Sequence, residues 1–131
     1  MIRIFAMLIL SLTMKAAFSQ TTLNFCAGVE KDYCYFNNTK FITPIDSSQA
    51  LIFMMVKNPN GFGTTMLKFD IYSIEKTGKE NLINTLEQKV GNDWDWVWKS
   101  DLLKTPGKYR VKITNHLNNE VANKSLELIL P

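Results

Sequence analysis

The stretch Thr105-Pro106-Gly107-Lys108-Tyr109-Arg110-Val111-Lys112-Ile113-Thr114 sets the fold class. After a Pro-Gly turn, apolar Tyr109, Val111 and Ile113 alternate with Lys108, Arg110, Lys112 and Thr114, so one face of an extended segment is apolar and the other wet. The same period of two recurs in Leu67, Phe69 and Ile71 against Lys68, Asp70 and Tyr72, and again in Leu126, Leu128 and Leu130. Leu51 to Val56 is apolar on both faces, which suits an interior strand with cover on each side. Phe41-Ile42-Thr43 is a shorter candidate. Leu82 to Val90 also reads as a strand, although Leu82, Leu86 and Val90 satisfy helical spacing as well.

Turn signals separate these runs. Asn58-Pro59-Asn60-Gly61-Phe62-Gly63 and Thr77-Gly78 are turn clusters, Thr105-Pro106-Gly107 suits a type II turn, and Asn118-Asn119 tolerates the positive φ of a tight hairpin. Short strands with a turn every eight to twelve residues predict an all-β, antiparallel sandwich of about seven to eight strands.

The first residues predict export. Arg3 supplies a positive start, Ile4 to Leu10 an apolar run broken by Ser11, Thr13 and Lys15, and Ala17-Phe18-Ser19 a small-x-small cleavage site. The run is shorter than the roughly 20 residues a spanning helix needs. Residues 1–19 are therefore read as a signal peptide cut after Ser19, and 20–131 as one domain, secreted or periplasmic, with no stable membrane insertion. Arg3 and Lys15 leave with the leader, so 15 basic residues become 13 against 12 acidic ones. A nearly neutral domain with scattered charges gives no reason to expect a nucleic-acid partner.

Cys26 and Cys34 are the only two cysteines, and in an oxidising compartment they predict a local disulfide. A zinc site is not expected, because the single His116 cannot complete a four-ligand set with two thiols. His116 lies in a polar, loop-like stretch. No serine or phosphate-loop motif is present, so neither catalytic residues nor a cofactor is predicted. Asn37-Asn38-Thr39 and Asn123-Lys124-Ser125 match the glycosylation sequon, which has meaning only in a host that uses it.

The sharpest chemical feature is Asp93-Trp94-Asp95-Trp96-Val97-Trp98-Lys99, which holds all three tryptophans on alternate positions. On one strand they share a face about 13 Å long. Directed inward they bury large apolar area, leaving Asp95, Val97 and Lys99 to solvent. The expected arrangement is therefore inward, with Trp96 buried and Trp94 or Trp98 at the rim. The alternative is an exposed platform for sugar rings or a partner's apolar surface.

Leu103, Gly107 and Tyr109-Arg110-Val111 resemble the entry into the penultimate strand of bacterial exported immunoglobulin-like sandwich domains. Lys108 to Thr114 followed by Val121 to Leu130 is similar to the last hairpin of that superfamily. The resemblance implies that the Tyr109 hydroxyl bonds back to the backbone and pins a corner beside Gly107. Cys26 and Cys34 are too close to form the inter-sheet bridge of antibody domains. The expected function is a non-catalytic binding module for a protein or cell-surface partner. The alternatives are a carbohydrate-binding module using Trp94, Trp96 and Trp98, and a small enzyme inhibitor presenting Asn58 to Gly63 or His116 to Glu120.

Overall fold

The structure, a computed structural model, describes residues 21–131; the predicted leader and its cleavage site lie outside the described residues. Ten strands and no helix make up that span: β1 (Thr22–Cys26), β2 (Gly28–Glu30), β3 (Tyr33–Tyr35), β4 (Lys40–Ile42), β5 (Ala50–Lys57), β6 (Met66–Ile74), β7 (Glu80–Lys89), β8 (Trp96–Leu103), β9 (Gly107–Asn115) and β10 (Glu120–Ile129). A three-stranded sheet, β1-β5-β8, faces a five-stranded sheet, β4-β10-β9-β6-β7, and β2-β3 form a separate hairpin.

Alternation explains the long strands. Leu67, Phe69 and Ile71 of β6, Tyr109, Val111 and Ile113 of β9, and Leu126 and Leu128 of β10 line one side of the core. Leu23, Phe25, Ile52, Met54, Val56, Val97 and Leu103 line the other. Phe25 and Phe69 are fully buried, each contributing about 2–3 kcal/mol of transfer free energy. Leu82 to Val90 falls in or beside strand β7, not a helix, and β6–β7 carries a one-residue register shift after Ile71 that leaves Ile83 half exposed.

Three features differ from the sequence expectation. The strand count exceeds seven to eight because β2 and β3 are only three residues long, too short for alternation to register, whereas the equally short β4 falls at the candidate Phe41-Ile42-Thr43. The sandwich is not wholly antiparallel: β4 runs parallel to β10, Lys40 beside Glu127 and Ile42 beside Ile129. Gly107 opens β9 with φ of +146° and does not occupy the second centre of a type II turn. A side chain rarely tolerates that φ, so the glycine is required all the same.

The Cys26–Cys34 disulfide is present. It staples the β2-β3 hairpin to the end of β1, assisted by Ala27 N–H to Tyr35 O at 2.9 Å and Asn38 N–H to Phe25 O at 3.2 Å. The Tyr109 hydroxyl donates to the Thr105 carbonyl and lies 3.1 Å from the Thr105 hydroxyl. This is the corner implied by the resemblance.

Candidate functional site

Cross-strand register places each outer-face residue of the small sheet. In the antiparallel ladders Asn24, Met55 and Trp98 stand side by side, as do Cys26, Phe53 and Ser100, and Leu51 pairs with Leu102. Opposed residues in a ladder share a face, so Leu51, Phe53, Trp98 and Leu102 form one apolar surface directed away from the core, with Met55 on the same side but fully buried. Phe53 and Trp98 pack edge to face, ring centroids 5.4 Å apart. Leu51 is 49 %, Leu102 40 % and Trp98 39 % exposed. The run Leu51 to Val56 is apolar on both faces because β5 is the central strand, with Ile52, Met54 and Val56 inward and the remainder on this surface.

The outer face of the large sheet is chemically opposite. Lys68, Asp70, Thr85, Glu87, Arg110, Lys112 and Asn123 follow one another across it. Arg110 Nε lies 2.8 Å and Lys112 Nζ 3.6 Å from the Glu80 carboxylate. This face is an ordinary solvated mosaic of both signs.

The tryptophans depart from the inward arrangement expected of them. Val97, not an indole, enters the core from this end of β8, in phase with Leu103; Trp96 is half-buried, and Trp94 and Trp98 are exposed. Nor do the three indoles share a strand. β8 begins at Trp96, while Trp94 belongs to the loop from β7, its backbone N–H donating to the Gly91 carbonyl at 3.1 Å. The reason lies at the rim. β8 is an edge strand, and its inward positions Lys99 and Asp101 sit at the open side of the sandwich, where Asn84 of β7 donates to the Asp101 carboxylate at 3.2 Å. Inward charges on an edge strand discourage pairing with another chain and need no dry core.

Two clefts are lined by residues of β7 and β8, the first of them at that bridge. One, of about 530 Å³, lies among Ser73, Asn84, Leu102, Lys104 and Tyr109. The other, of about 470 Å³, is lined by Gln88, Asp93, Trp94, Asp95, Trp96 and Trp98. The loop carrying Trp94 is clasped by the β5–β6 loop: Asn58 N–H to Asp95 O at 2.8 Å, Phe62 N–H to Trp94 O at 3.0 Å and Gly63 N–H to Asn92 O at 3.1 Å. Asn58 to Gly63 is thus held against the neighbouring loop. The second inhibitor loop is a tight hairpin in which Asn118 takes φ of +61°, and the His116 ring is tied through Nδ1 to the buried Thr64 hydroxyl. Among the described residues no three His, Cys, Asp or Glu side chains come together as metal ligands, and no helix is long and apolar enough to cross a membrane.

No protein-family model matches the chain, and no curated protein matches it. Solved structures do. An immunoglobulin-like protein from Pseudomonas aeruginosa superposes with a TM-score of 0.55 at 11 % identity, over 82 % of this chain and 91 % of that one. A superoxide reductase (neelaredoxin) from Ignicoccus hospitalis gives a TM-score of 0.47 at 14 % identity, over 91 % of this chain and 86 % of that one. At such identities the likeness is one of fold: the chain is an all-β sandwich of the immunoglobulin-like kind.

Proposed function

We propose that this chain is a non-catalytic, exported binding module that recognises a protein partner through the outer face of the β1-β5-β8 sheet. The observation that carries the reading is the contrast between the two outer faces: one largely charged, with Tyr72 and Leu82 at its β7 side, the other presenting Leu51, Trp98 and Leu102 to solvent beside the half-buried Phe53. Exposed apolar residues are unremarkable singly, but a contiguous patch built around an aromatic is the composition of interface cores. The disulfide supports export, since such bridges persist where thiols are not kept reduced. A second reading, a carbohydrate-binding surface on Trp94, Trp96 and Trp98, draws support from the exposure of two of the indoles.

Site-specific photo-crosslinking in the producing cell tests the first reading. A photoreactive residue in place of Leu51 or Leu102 is expected to trap a partner of defined mass, and one in place of Thr85 on the charged face is not. An adduct at twice the chain's own mass would identify the partner as a second copy. Equal labelling from both faces, or from Thr85 alone, refutes the assignment.

A further inference from the structure

The geometry points to the Trp94–Trp98 cleft as the anchor site for a cationic side chain, arginine or lysine, presented by an exposed segment of the protein partner. The inference rests on the binding-module reading and adds the chemistry of the contact. Three indoles, two carboxylates, one amide and Val97 line the cleft, and no basic side chain does. Indole is the aromatic ring that holds a cation best.

The chain leaves these groups unpaired with its own cations. Its cation–π contacts among the described residues are Lys112 over Tyr72 and Lys124 over Phe25, neither at a tryptophan. Its ion pairs there use Asp70 and Glu80, not Asp93 or Asp95. Two unneutralised carboxylates beside aromatic faces make a local negative site in a domain that is nearly neutral once Arg3 and Lys15 leave with the leader. A sugar's hydroxyls can donate to those carboxylates but leave their charge in place, whereas a guanidinium or ammonium both donates to them and neutralises them. This favours a cation over a sugar.

The site is also held in place before any ligand arrives. A Cβ on Gly91 would lie 2.6 Å from Trp94 Nε1, 2.7 Å from its Cδ1 and 3.1 Å from Asp93 Oδ1. The indole edge and the carboxylate therefore both rest against the bare backbone of Gly91. The three backbone bonds from the β5–β6 loop fix the segment from its other side. Ordering costs on binding are correspondingly small.

The test is a titration of tryptophan emission in the intact, oxidised chain with three probes: a short peptide bearing one central arginine, the same peptide with citrulline, and a neutral linear glucan oligosaccharide. The arginine peptide is expected to saturate, and the citrulline peptide to bind about tenfold more weakly, as befits a partly desolvated cation–π contact assisted by carboxylates. The double variant Asp93→Asn with Asp95→Asn should bring the arginine peptide to the citrulline level. Gly91→Ala, which displaces Trp94 and crowds the Asp93 carboxylate without removing either charge, should weaken arginine binding while the denaturation midpoint holds. Equal binding of arginine and citrulline overturns the cationic anchor, as does indifference to the double variant. Saturation by the oligosaccharide without the arginine peptide overturns it in favour of a sugar, and no response to any probe overturns it outright. None of these outcomes bears on crosslinking from Leu51 and Leu102, which judges the interaction face separately.

Discussion

Cutting the Cys26–Cys34 bridge should cost measurable stability, and by different amounts from its two ends. The cysteines are 8 residues apart, for which the chain-entropy model gives about 2.5 kcal/mol. The environments differ: Cys26 is fully buried on the outer side of β1, opposite Phe53, while Cys34 is half-buried in the hairpin. Cys34→Ser leaves a thiol at position 26, which tolerates apolar surroundings, so only the tether is lost. Cys26→Ser also places a hydroxyl in that buried site, adding roughly 1–3 kcal/mol where no partner is formed. Urea unfolding at 25 °C is the assay. With m of about 1–3 kcal/mol/M for a domain of this size, Cys34→Ser should lower the midpoint by roughly 1–2 M, with Cys26→Ser lower again. A Cys34→Ser midpoint equal to that of the oxidised wild type would show that the hairpin is an appendage with no hold on the sandwich. Equal midpoints for the two variants would refute the burial argument.

Two further outcomes follow from single hydrogen bonds. Tyr109→Phe keeps the buried ring and removes only the bonds to Thr105, which is itself exposed and whose carbonyl can turn to water, so the expected loss is about 1 kcal/mol by chemical denaturation; a loss above about 3 kcal/mol would mean that the corner organises far more than its own turn. Tyr35 donates to the Glu30 carboxylate at 2.6 Å, which with minor burial and neighbouring Tyr33 holds its phenol above the ordinary 10.0. The neutral phenol is the favoured form, so whatever this bond contributes is present at neutral pH and is lost as pH rises through the folded value. A residue-resolved titration should show the Tyr35 phenol ionising late and moving back towards the ordinary value in Glu30→Gln; an unmoved Tyr35 refutes the attribution.

What the sequence disclosed, and what it concealed, follows from how far each signal acts. Alternation in Tyr109 to Ile113 or Leu67 to Ile71 is local and strong because one face of each strand is dry and the other wet. The bridge was legible from two cysteines and the predicted compartment, and the Tyr109 corner from its resemblance. The parallel seating of β4 on β10 was not legible, since it joins Phe41 to Leu128 across most of the domain and leaves no periodic mark on a three-residue strand. The indoles were placed on the wrong side by an argument from burial alone. A signal for the right answer exists: Val97 and Leu103 are in phase, and Leu102 is in phase with Trp98, so β8 has an apolar residue of each kind on both faces. Deciding between them requires knowing that β8 is an edge strand, and edge position is a property of the whole sheet.

That edge position ties stability to recognition in β8. Side-chain direction has a period of two, so a strand chooses one of two phases and every residue moves together. The phase that would bury Trp96 and Trp98 would recover several kcal/mol of apolar transfer, but it would turn Lys99 and Asp101 outward, remove the Asp101–Asn84 bridge and expose Val97 and Leu103. With the rim left free of inward charge, the strand's unpaired backbone groups would become a template for another chain. The observed phase closes the rim with polar groups and places Trp98 beside Phe53 on the outer surface. An exposed aromatic face and a guarded edge are thus two results of one register, so a substitution that flips β8 to bury its indoles would remove both together.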